Sequence, residues 1–220
     1  MAALNDGYFA NDDYRRIAGG ASFPKLALRN DGSGHAEWTD WAPGEGGLIS
    51  TRSHLIPPGT RLVRFAGLRE GRTAPLYFGQ GAASGVWWME WGAYKAIERY
   101  ADKIEESVTY AVRQVCAVPA EWSDLSYVVQ GTTRSPLMAW AGMGRSVMSG
   151  QGIIDPLDRG KPKIEQYYIP GLSDPDLNKK AIFISHHGPL DPGMSREGAR
   201  RAQEEQAAHM ERMRQSIRKP

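Results

Sequence analysis

Cysteine is nearly missing from the sequence: Cys116 stands alone among 220 residues. No disulfide can form within the chain, so a disulfide-stapled scaffold is excluded, and nothing argues for an oxidising compartment. The same count excludes a zinc site built on cysteines. Cys116 lies in the apolar run VRQVCAV, which predicts a buried and inert thiol. Also missing is any apolar run approaching the roughly 18 residues that cross a bilayer as a helix. The first residues, MAALNDGYFANDDYRR, carry no basic segment followed by an apolar stretch, so a cleaved leader is not expected. Nor is there an excess of one charge. The 27 basic and 25 acidic side chains leave a net +2, which provides no general electrostatic attraction to nucleic acid or an anionic membrane.

What is present is enough apolar residue for a core, 41%, in a length that suits one domain with an extension. Seven Trp and nine Tyr read equally well as a large-residue core or as faces that stack flat ligands. Residues 1–59 are rich in Gly, Asp, Asn and Pro and are expected to form short strands and long loops, an extension or lid. After the IPPGT punctuation, TRLVRFAG predicts a strand over 60–67 and GVWWM another over 85–89. Tyr94, Ile97, Tyr100, Ala101 and Ile104 recur at helical spacing and predict a helix over 90–105. SVTYAVRQVCAVP alternates and is β-branched, so a strand is expected before Pro119. Further strands are expected over 125–131, 163–171 and 181–188, with a helix near 136–148. Residues 60–190 make the main domain. In the tail, 191–220, the composition of 195–217 predicts a helix capped by Ser195.

Several residues invite chemistry. Arg61 and Arg64 are three apart in one strand, so one faces solvent when the other faces the sheet's opposite side. Glu165 and Gln166 likewise point to opposite faces of their strand. Tyr94, Trp87 and Trp88 offer aromatic walls or simply core. His186 and His187 lack an acidic or histidine partner at ligand spacing and read as a loop pair. GQGAASG over 79–85 lacks the Lys-Ser/Thr of a phosphate loop and reads as a flexible loop that closes over a ligand or does nothing. Ser146 in GMGRSVMSG is not a nucleophile elbow. His35 in GSGHAEW carries no signal of its own.

Taken in order, Arg64 in RLVRFAG, SGVWWMEWGAYKAIERYA over 84–101, and Glu165-Gln166 in KIEQYYIPG resemble the ADP-ribosyltransferase superfamily over about residues 60–171. The Ser-Thr-Ser strand of many members has only Ser84 and the Ser146 region as weak counterparts, and Trp-Trp stands where the family has Tyr-Phe. The resemblance implies an α+β domain whose split, mainly antiparallel sheet encloses an NAD cleft, followed here by a C-terminal helix. It implies NAD as substrate without a metal. Arg64 would grip the pyrophosphate, Trp87, Trp88, Tyr94 and Ser84 would line the nicotinamide side, and Glu165 or Gln166 would act on the ribose. The implied activity is cleavage of the nicotinamide–ribose bond, with ADP-ribose passed to a protein or nucleic-acid acceptor, or to water in an NAD glycohydrolase. Such free-standing domains in bacteria are often toxins. That would make the protein an effector that resides in the producer's cytoplasm, is delivered by a leaderless route and is blocked by an immunity protein. The rival class is a non-catalytic protein-binding module, of the immunity, adaptor or phage structural kind.

Overall fold

A computed structural model of the chain describes residues 2–22, 26–28, 36–38, 42–43, 46–67 and 83–190. The expected helix over 195–217, His35, and residues 79–82 of the Gly-rich segment lie outside the described residues. The chain opens with two short helices, α1 (Asp6–Phe9) and α2 (Asp12–Ala18). Asn11 caps α2 by accepting from the Asp13 amide, with acidic residues in the first turn and Arg15 and Arg16 in the last, as the helix dipole favours. Two small antiparallel pairs follow: β1 (Ala21–Ser22) with β4 (Ala42–Pro43), and β2 (Leu26–Leu28) with β3 (Ala36–Trp38).

Next come β5 (Leu48–Ile56), β6 (Arg61–Ala66), β7 (Trp87–Glu90), α3 (Trp91–Lys103), α4 (Val108–Cys116), β8 (Tyr127–Thr133) and β9 (Leu137–Gly144). A hairpin of β10 (Val147–Ser149) and β11 (Gly152–Ile154) precedes β12 (Glu165–Tyr168), α5 (Pro175–Ala181) and β13 (Ile182–Pro189). Seven strands form one sheet in the order β13-β8-β6-β7-β12-β9-β5, each neighbour antiparallel. The fold is thus α+β with a mainly antiparallel sheet and few helices. The sheet is narrowest at β7. On one side β7 pairs with β6 only at Glu90 and Met89; on the other it pairs with β12 only at Trp88 and Trp87. The two halves of the sheet therefore meet at opposite ends of one four-residue strand.

Side-chain alternation sorts each strand between two faces. On the first face Leu62, Trp88, Tyr167, Ala139, Ala141 and Val129 form the core, covered by Leu172 and by Ala181 of α5. On the second, Val63 and Met89 pack beneath Tyr94, Ile97 and Ala101 of α3 and Ala111, Val112 and Val115 of α4. The N-terminal helices sit against Leu48 and Tyr168 at the far end of that face.

Three expectations are corrected. The segment expected as a strand before Pro119 is helix α4. Ser107 caps it by accepting from the Tyr110 amide, and Ala111, Val112, Val115 and Cys116 make a helical apolar stripe that the β-branched content masked. The segment near 136–148 is not a helix but β9 and β10. Leu137, Ala139 and Ala141, all fully buried, alternate at the strand period despite the helix propensity of Leu, Met and Ala. In the N-terminal region, the short strands are accompanied by the nine-residue β5, which forms an edge of the main sheet.

Asn5 fastens the N-terminus to that sheet. It is 1% exposed, donates to the carbonyls of Met138 and Pro170, and accepts from the Met138 amide. Replacing it with alanine strands these buried groups, each of which costs about 1–3 kcal/mol when unpaired. Asn5→Ala is expected to lower unfolding stability by about 2–3 kcal/mol in urea titration. A loss under about 0.5 kcal/mol would mean that water replaces the amide.

Candidate functional site

The first face carries a row of polar side chains that ends the core toward solvent. Its strands are β5, β12 and β7, and the register explains why distant strands touch. Ala141 of β9 stands between Tyr167 and Arg52, and Ala139 stands beside His54. Both alanines are fully buried, so long side chains from β5 and β12 meet above them. Arg52 Nη2 donates to Glu165 Oε1 at 2.6 Å, and Arg52 Nη1 lies 3.3 Å from His54 Nδ1. The His54 ring stacks on Tyr167 with centroids 4.9 Å apart and planes at 14°. The Tyr167 hydroxyl in turn donates to Glu90 Oε1 at 2.9 Å. Burial, reinforced by the bond to Glu90, pushes the Tyr167 phenol far above its usual range, so it remains a proton donor at neutral pH.

The rest of this face is dry. Trp88 is 2% exposed and donates from Nε1 to the Gly85 carbonyl. Arg64, which follows Val63 on β6, lies level with Trp88 and so with Tyr167. Arg64 and Glu165 therefore project from the same face, on the two strands that flank β7. The Arg64 guanidinium leans the other way, however, toward the start of β7, where Nη1 donates to the Trp87 carbonyl at 3.3 Å. That is the end where β6 has parted from β7. A Cβ built on Gly85 would stand 1.7 Å from Arg64 Cζ, so only glycine leaves the guanidinium its place. Burial pushes Arg64 down to about 10, which keeps it charged at neutral pH.

The remaining sequence candidates lie elsewhere. Ser84, half-buried, precedes Gly85. Gln166 is 9% exposed on the second face and donates to the Cys116 carbonyl. Tyr94 is 8% exposed in the α3 core, close to Trp91 and Phe65. Trp87, half-buried on the second face, meets Tyr168 edge-on at 5.0 Å. The candidate aromatics thus divide between two faces, with Trp88 on one and Trp87 and Tyr94 on the other, and they line no common wall. Cys116 is buried and its thiol is pushed up to about 12 by desolvation. His187 Nδ1 lies 2.8 Å from the Tyr127 hydroxyl on β8. Among the described residues no three His, Cys, Asp or Glu side chains gather as a metal site.

Four members of the polar row, Arg52, His54, Glu90 and Tyr167, go unmarked in the sequence reading. Arg52 and His54 share one face with Ile56, but a register shift between Ile49 and Arg52 sends Leu48 to the other face, so the strand's period gave no clear signal.

No family model matches the chain, and no curated protein matches it. Among solved structures, Tne2, determined in complex with Tni2, is 14% identical over 64% of this chain and 92% of that one, with a TM-score of 0.36. Rhs1-CT, determined in complex with its cognate immunity protein RhsI1, is 12% identical over 66% of this chain and 84% of that one, with a TM-score of 0.38. At these scores neither neighbour assigns a fold family or an activity.

Proposed function

We propose that the protein cleaves NAD at the nicotinamide–ribose bond, with Glu165 as the carboxylate that faces the ribose. The bond from ribose C1′ to the nicotinamide nitrogen breaks, and its electron pair leaves with nicotinamide. Positive charge builds on the sugar, as in glycoside chemistry, and a nearby carboxylate stabilises it. An acceptor lone pair then bonds to C1′ and the acceptor gives up a proton. The acceptor in this reading is a macromolecule; water in its place makes the protein an NAD glycohydrolase.

The observation that carries the reading is the placement of Glu165. Its side chain is 38% exposed at the rim of a dry sheet face, paired with a guanidinium and standing beside the stacked His54 and Tyr167 rings. The order of Arg64, the Trp-Trp strand and Glu165 along the chain, with both charged groups on one face, supports the same reading. Since Trp88 and Tyr94 are core residues, the stacked His54 and Tyr167 rings supply a flat surface beside the carboxylate.

A protein partner of the immunity type belongs to this proposal. Its support in the fold is the β10–β11 hairpin, where the cross-strand partners Met148 and Ile153 are 59% and 69% exposed. The same hairpin also suits a binding module without catalysis, and one measurement separates the two. Purified protein incubated with NAD, with and without cell extract, is expected to release free nicotinamide. Chromatography that finds none in either case would leave the binding module standing.

A further inference from the structure

Arg52 and Glu165 form an ion pair whose side chains are 55% and 38% exposed. A pair so open to water contributes only about 0–1 kcal/mol, so it is easily exchanged and does little to hold the fold together. The two partners differ in how they are held. Arg52 stays in place by a second contact, to His54, whose ring is clamped flat on the 3%-exposed Tyr167. Glu90 is engaged by the Tyr167 hydroxyl and lies beyond that ring from Arg52. The Arg64 guanidinium is committed to the Trp87 carbonyl above Gly85. Among the described residues of this face's strands, Arg52 is thus a guanidinium that an incoming anion can reach, and Ala139 and Ala141 leave the ground beside it low.

We propose that Arg52 is the anion-binding residue of this site and that Glu165 is its internal competitor. A phosphate-bearing ligand displaces the carboxylate and takes the planar guanidinium fork, freeing Glu165 to face the ligand's sugar. The inference rests on the reading of Glu165 given above and assigns the phosphate contact to β5 instead of β6. The exchange explains how one carboxylate is neutralised in the free protein yet unpaired when charge develops on a substrate.

The test uses ADP as probe, with calorimetry on the full chain, and needs no turnover. Wild type is expected to bind ADP, and Arg52→Ala to weaken binding at least tenfold. Arg52→Lys, which keeps the charge and loses the fork, is expected to fall between them. Glu165→Gln removes the competitor and is expected to tighten binding severalfold, an effect that a merely structural pair would not produce. Equal affinity in Arg52→Ala, unchanged or weaker binding in Glu165→Gln, or no binding by wild type overturns the proposal. ADP binding with the expected pattern but without nicotinamide release would sink the NAD reading and leave the exchange intact. Nicotinamide release that Arg52→Ala does not alter would sink the exchange alone.

Discussion

Glu165→Ala is expected to lower the rate of nicotinamide release by about a hundred- to a thousand-fold, the loss seen when one preorganised electrostatic contact to developing charge is removed. The size follows from where the carboxylate sits. It stands at the rim of an apolar sheet face, and a ligand seated over it displaces water, so that its charge acts there with less screening than in bulk water. The fold should hardly notice the change, because the ion pair with Arg52 is open to solvent and contributes about 0–1 kcal/mol. Gln166→Ala is the contrasting control. Its amide is buried and bonded to the Cys116 carbonyl, so its loss should appear in unfolding stability and leave the rate nearly intact. Nicotinamide release measured beside urea unfolding for both variants checks the pair. A Glu165→Ala variant that releases nicotinamide as fast as wild type would remove this carboxylate from the proposed chemistry.

Trp88→Ala carries the largest expected cost to stability, about 3–5 kcal/mol for a fully buried Trp. The indole is 2% exposed at the narrow waist of the sheet, in one core cluster with Leu62 and Tyr167, and its Nε1 donates to the Gly85 carbonyl. Truncation leaves a cavity where β6, β7 and β12 meet and frees a part-buried carbonyl. Trp87→Ala, half-buried on the other face, is expected to cost clearly less. Urea unfolding of the two variants gives the comparison. Intact stability in Trp88→Ala together with lost ligand binding would move that indole from core to pocket.

Much of the sheet was legible because its strands announce themselves locally. RLVRFA, WWME and IFISHHGP combine β-branched or aromatic residues with turn signals at their ends, and each became a strand near its expected limits. Helix α3 was legible for the same reason, its apolar stripe being unambiguous. Helix α4 and strand β9 were read in reverse because each has two competing patterns. VTYAVRQVC has β-branched content over a helical stripe, and Ser107 tips it toward helix. LMAWAGMG has helix formers over an alternation of burial across Leu137–Ala141, and pairing on both sides tips it toward strand. The site was legible only in part. Glu165 was singled out by its strand, but Arg52 meets it, and His54 meets Tyr167, across an intervening strand. That meeting depends on two alanines in β9 and on a register no single segment contains.

The shortness of β7 has a mechanical meaning. Arg52, His54, Glu165 and Tyr167 ride on one plate, and β6 with β8 and β13 forms another. Among the described strands β7 alone pairs with both plates, with two rungs to each side and never at the same height, while one apolar core packs against both. The strand that pairs with both plates runs straight on into α3, whose first residue, Trp91, directly follows Glu90.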